Sequence, residues 1–137
     1  MGEFSTLAPR LNLEAHWLWA GADLLVLITG GQRPHLGAVA MAAPRPSLAN
    51  PAATSATASV FCYPGHKDDE LAKGLALRLS AALKVKVTVA AGAHWDDLGV
   101  EDIAQVRANA LELEHMLLAA LAAEAPGAPP GPNLGPD

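Results

Sequence analysis

Cysteine is nearly absent. Cys62 is the only one in 137 residues, which excludes an internal disulfide and any zinc site built on cysteines. Positive charge is scarce too. Nine Lys and Arg stand against fourteen Asp and Glu, a formal net charge of −5, and basic residues nowhere form a run. That excludes a nucleic-acid binder working by bulk charge. Long hydrophobic runs are also missing. A membrane helix needs about 20 consecutive apolar residues, whereas the best stretch, Trp17 to Ile28, is broken by Asp23. The opening Met1-Gly2-Glu3-Phe4 has neither a basic n-region nor an apolar h-region, so no secretory signal is expected and the reducing cytoplasm is the expected compartment. What the chain has in quantity is apolar residues: 51% hydrophobic against 17% charged. That excludes disorder of the whole chain, and the length suits a single domain.

The last segment departs from the rest. Eight of the fourteen residues from Glu124 to Asp137 are Pro or Gly, and Leu134 is its only large apolar residue. Such a stretch cannot bury enough to offset its ordering entropy. Residues 1–124 are therefore expected to form one domain, and 125–137 a disordered tail. Within the domain, Leu11 to Trp19 alternates apolar and polar side chains, the period of a half-buried strand. Leu24 to Ile28 is a continuous apolar run suited to a central strand, ended by Thr29-Gly30-Gly31. Leu36 to Ala42 and Thr57 to Tyr63 read as two more strands, the first closed by Pro44 and Pro46. Leu71, Leu75, Leu79 and Leu83 recur every four residues on a helix that Asp68 or Asp69 can cap. Val85, Val87 and Val89 form a fifth strand. A last helix, about Val100 to Ala122, carries a stripe of Ile103, Val106, Ala110, Leu113, Leu117 and Leu121. The expected order is β-β-β-β-α-β-α: an α+β fold with two helices on one face of a mainly antiparallel sheet.

In a four-strand meander the second and fourth strands end at the same edge, and the fifth strand, parallel to the fourth, ends there too. Each of these ends is followed by glycine and then histidine: Gly30-Gly31 before Arg33 and His35, Gly65-His66-Lys67, and Gly92-Ala93-His94-Trp95. Both helices start there. Backbone N–H groups, glycines permitting close approach, and the cations Arg33 and Lys67 suit a phosphate, while Trp95 suits a planar ring. The acids Asp68, Asp69, Asp96 and Asp97 crowd the same edge. Together with imidazoles they suit a divalent metal, with His35, His66, His94 and Asp96 as the candidate ligands. A small metal-dependent hydrolase or lyase using the three histidines is therefore an alternative to a phosphate-binding carrier. The ordinary readings of the same residues are turns, helix caps and a tryptophan covering the core. No nucleophile elbow, HExxH, P-loop or GxGxxG is present.

Three ordered motifs carry a resemblance. Thr29-Gly30-Gly31 followed by Pro34-His35-Leu36-Gly37-Ala38-Val39, then Pro64-Gly65-His66-Lys67-Asp68, then Ala91-Gly92-Ala93-His94 with Asp96, resemble the LpdD-like prenylated-flavin chaperones associated with UbiD-type decarboxylases. The resemblance spans about Leu24 to Leu118. It implies a fold similar to proteasome assembly chaperones, a homodimer, and no catalysis. It also implies binding of reduced prenylated FMN and its delivery to an apo UbiD-type (hydroxyarylic acid) decarboxylase. The matched loops offer Gly30, Gly31, His35, Gly37, Gly65, His66, Lys67 and His94 as cofactor-binding candidates, to which the reading of the shared edge adds Arg33 and Trp95. Trp95 and the proline-rich tail have no counterpart in the family pattern.

Overall fold

The computed structural model describes residues 1–7, 10–65 and 68–125. Among them lie six strands and two helices: β1 (Gly2–Ser5), β2 (Leu13–Ala20), β3 (Asp23–Gly31), β4 (Ala38–Pro46), β5 (Thr54–Cys62), α1 (Asp69–Leu83), β6 (Val87–His94) and α2 (Val100–Ala122). The fold is α+β, with both helices on one face of a mixed, mostly antiparallel sheet of order β1-β2-β3-β6-β4-β5.

Three expectations are corrected. The element order has one strand more than expected, because Gly2–Ser5 adds to the edge of β2. Its one large apolar side chain, Phe4, packs against Trp17 with ring centroids 5.1 Å apart. The four-strand meander does not form. β6 inserts between β3 and β4, parallel to the first and antiparallel to the second. Its Val87, Val89 and Ala91 are all buried beneath the helices, so the centre of the sheet is where its apolar residues are best used. Pro44 does not close β4, which runs on past Ala42 and ends at Pro46. Beyond Ala42 that strand has a partner only in β5, and a residue without an N–H is tolerated beside an open flank.

The helix-facing side of the sheet is the core. Leu13, Ala15, Val26, Ile28, Ala38, Ala40 and Val89 are fully buried there. α1 lies over β4, β5 and β6, and α2 over β1 and β2. The leucine repeat of α1 behaves as expected, with Leu75, Leu79 and Leu83 buried. The stripe of α2 is buried only in its second half, at Leu113, Leu117 and Leu121, whereas Ile103 is 44% exposed. The end of α2 is fixed by Glu124, whose Oε2 accepts hydrogen bonds from both the Trp17 and Trp19 indoles at 3.1 and 3.0 Å. Asn109 fastens its middle, donating to the carbonyls of Leu11 (2.7 Å) and Arg10 (3.2 Å).

The expected tail falls, from residue 126 onward, outside the described residues. Among the described residues no helix is long and apolar enough to cross a membrane.

Candidate functional site

The three loop-bearing strand ends do meet at one edge, though by a different route from the one expected. Gly31 at the end of β3 pairs with His94 at the end of β6, and Cys62 at the end of β5 pairs with Ala38 at the start of β4. The chain from β3 to β4 must cross the end of β6 to get there. It does so in an arch over residues 32–37, tied down by Gln32 N–H to the His94 carbonyl (2.8 Å) and Gly37 N–H to the Ala91 carbonyl (2.9 Å).

The glycines serve this arch. A Cβ at Gly92 would strike the His35 carbonyl, and one at Gly31, which has φ +83°, would strike that of His94. A Cβ at Gly37 would fall on the Asp68 carboxylate. One at Gly30 would meet Leu13 Cδ2 at 2.9 Å and the Trp95 ring at 3.2 Å. Each missing side chain is thus replaced by a neighbour from the protein itself. Gly65, with φ +81°, is different: among the described residues nothing lies within 4 Å of where its Cβ would be.

Polar side chains lock the same edge. Asp68 caps α1 without bonding the helix's own N–H groups. Its Oδ1 instead accepts the Ala93 N–H (3.1 Å), and its Oδ2 lies 3.2 Å from His35 Nε2. The other ring nitrogen of His35 lies 2.9 Å from the Arg33 carbonyl. On the outer side Arg33 donates to Asp96 Oδ1 at 2.6 Å, and His94 Nε2 lies 3.0 Å from the same oxygen. The hydrogen bond with His94, and after it the Arg33 guanidinium, hold the Asp96 carboxyl below the usual carboxylate range. Asp102 is lowered as well, first by the Gly99 N–H and then by Arg10.

Of the metal candidates, His94 joins Asp96, while His35 joins Asp68. Among the described residues no three His, Cys, Asp or Glu side chains gather to hold an ion. His66 and Lys67 lie outside the described residues.

Below this edge a groove opens between the helices. It encloses about 910 Å³. Its floor is Leu13 and Ile28, and its walls are Leu71 and Leu75 of α1 facing Ile103, Val106 and Ala110 of α2. His35, Gly65, His94 and Trp95 stand at its mouth. Part of the α2 stripe therefore lines a cavity and not the sheet core. Five charged residues line it: Asp68, Glu70, Arg78, Arg107 and Glu114. Arg78 Nε donates to Glu114 Oε1 at 2.6 Å across the two helices, and Glu114 is only 7% exposed. Trp95 also borders a smaller cavity of about 290 Å³ with Gly30, Gly31 and Pro34. Sequence reasoning placed Gly65, His35, His94 and Trp95 at the mouth, but missed the groove itself. The available signal was an α2 stripe longer than two flanking strands can cover.

Residues 7–122 match the pattern of the prenylated flavin chaperone LpdD-like domain, from before β2 to the end of α2. The chain belongs to that family. It is also similar to Protein LpdD of Lactiplantibacillus plantarum, with 26% identity over 125 residues, 90% of this chain and 87% of that protein. The family match takes in both walls of the groove and all three loops at its mouth. It places the chain among chaperone-family domains.

Proposed function

We propose that the protein is a carrier of reduced prenylated FMN, holding it in the inter-helical groove and passing it to an apo decarboxylase of the UbiD type. The observation that carries this reading is the groove, in a chain of the prenylated flavin chaperone family. At about 910 Å³ it falls within the range of about 300–1,000 Å³ typical of sites that bury a small organic ligand. Its leucine, isoleucine and valine walls suit a tricyclic ring bearing a prenyl group. The mouth, with Gly65 open to approach and His35 and His94 beside it, suits the phosphate end. A carrier must release its cargo, so it needs burial and orientation but no covalent chemistry. A reduced flavin also fits work in the reducing cytoplasm.

We infer that the working form is a homodimer. Among the described residues nothing covers the sheet face away from the helices, which carries Leu18, Leu25, Met41 and Phe61, of which Met41 and Phe61 are 63% and 61% exposed. Exposed apolar surface of this kind favours association. Sedimentation equilibrium at micromolar concentration should give about twice the 14.1 kDa chain mass. A single-chain mass with and without ligand rejects the dimer.

The carrier reading is tested by anaerobic titration with reduced prenylated FMN. The expected results are a saturable spectral change, a rise in melting temperature, and activation of an apo decarboxylase by the loaded protein. No spectral or thermal response to the cofactor refutes the reading.

A further inference from the structure

The deep wall of the groove carries a polar pair that burial alone does not explain. Glu114 has a side chain that is 9% exposed, and it lines the cavity. One carboxylate oxygen takes the Arg78 Nε–H at 2.6 Å. Among the described residues the other oxygen accepts no hydrogen bond, and the two terminal nitrogens of Arg78 have no acceptor. The Arg78 guanidinium folds back over its own helix, where a Cβ on Gly74 would lie 3.1 Å from both terminal nitrogens. Gly74 thus leaves room for the guanidinium inside the helical repeat, at a cost of roughly 1 kcal/mol of helix propensity against alanine. The Arg78 side chain is 55% exposed, and among the described residues no buried polar atom lacks a partner, so solvent reaches the unengaged Glu114 oxygen and the Arg78 terminal nitrogens until a ligand replaces it.

We propose that Glu114 and Arg78 form a recognition subsite for the lactam or imide edge of a planar heteroaromatic ring. The pair sets an acceptor, the unengaged Glu114 oxygen, beside donors, the terminal N–H groups of Arg78. A ring-held cis amide has the complementary pattern, an N–H next to a C=O. Carboxylate and guanidinium are both charged, so each bond is charge-assisted and stronger than a neutral one. An apolar groove ranks ligands weakly, by size and area alone, whereas a charged pair in its wall disfavours a ring that cannot present the edge. The subsite rests on the carrier reading and deepens it, because the pyrimidine end of a flavin carries such an edge. It orients that end inward and leaves the phosphate toward the mouth.

The test compares reduced FMN with reduced N3-methyl-FMN, anaerobically, on the full chain and on Glu114→Gln, with reduced prenylated FMN titrated alongside. The amide introduced by Glu114→Gln would still accept from Arg78 but would turn an N–H donor toward the ring. The unaltered chain should bind reduced FMN about 10–100-fold more tightly than the methylated flavin, the span of one charge-assisted hydrogen bond. Glu114→Gln should weaken FMN and prenylated FMN by a similar factor and abolish the preference, with the methylated flavin little changed. The comparison on the unaltered chain needs no variant, so a folding defect cannot imitate it. Equal affinity for the two flavins, or prenylated FMN binding within twofold in Glu114→Gln, overturns the subsite and leaves the carrier reading standing. Failure of every flavin to bind, the prenylated one included, overturns both.

Discussion

Gly37 and Asp68 provide the sharpest test of how the mouth of the groove is held. Asp68 is 8% exposed and joins three elements: it starts α1, accepts the Ala93 N–H from β6, and faces His35 of the arch. Asp68→Ala removes a charged acceptor and leaves the Ala93 N–H without its bond. Losing a hydrogen bond to a charged group costs about 1.5–3 kcal/mol. Gly37→Ala adds one methyl. Its first obstacle is the Asp68 carboxylate, followed by Asp68 Cγ at 2.9 Å and His35 Nε2 at 3.2 Å. Overpacking of this kind costs about 1–3 kcal/mol. Gly37 does not have a positive φ, so alanine is otherwise permitted there. With Asp68 already shortened to alanine, the methyl finds space where the carboxylate was. The second substitution should then cost less than about 1 kcal/mol, which makes the pair non-additive by about 1–2 kcal/mol. Urea unfolding of the parent, both single variants and the double variant measures the coupling, provided m is unchanged. Additivity within about 0.3 kcal/mol would refute the claim that Gly37 exists to admit Asp68.

Other expectations follow from single contacts. Leu117→Ala, at a fully buried site where α2 meets the sheet, should destabilise by about 2–5 kcal/mol in the same assay. Glu124→Ala should cost about 1 kcal/mol and alter tryptophan emission, since one carboxylate oxygen serves both indoles; an unchanged spectrum counts against that clamp. Asp96, whose folded carboxyl titrates below its unfolded value, stabilises fully above the ordinary carboxylate pKa, and its contribution is lost as pH falls through the lowered folded value. NMR titration should place its midpoint below that of a free aspartate, and Arg33→Ala should move it up; an ordinary midpoint in the parent removes the cluster from the account.

The parts of the fold that were legible in the sequence are those with a strong period. The α1 leucines repeat over fifteen residues of helix, and β2 alternates over eight, so both are visible without neighbours. β1 was hidden because four residues with one large apolar side chain carry no period, and it is an edge strand made by pairing with β2. The insertion of β6 between β3 and β4 was hidden for a different reason. Periodicity reports which face of a strand is buried but not which strand lies beside it, and the choice of neighbours is tertiary. The shared edge was nonetheless anticipated, because strand direction alone decides it and β6 does run in the same sense as β3 and β5. Within the site, His35, His94 and Trp95 could be named from loop position. Glu114 could not, since nothing in Glu112-Leu113-Glu114-His115 distinguishes the buried acid from its half-buried counterpart until α1 supplies Arg78.

The glycines carry a consequence for how a ligand would be held. Along the chain, Gly30, Gly31 and Gly37 look like places where a phosphate approaches the backbone. In the fold their Cβ space is taken by Leu13, Trp95, His94 and Asp68, so the loops pack against one another, and the cavity that Gly30 and Gly31 border is small, about 290 Å³. This stiffens the mouth before anything binds. A groove whose walls and mouth are fixed in advance loses little conformational entropy on loading, so its affinity depends on what the ligand can reach inside. Among the described residues only Gly65 at the mouth keeps open space beside it, and the first half of α2 presents apolar side chains that the sheet leaves uncovered. Selectivity is therefore located in the groove, at the Arg78–Glu114 pair and the apolar walls above it. The arch that the motifs first pointed to acts as the frame that keeps the groove open.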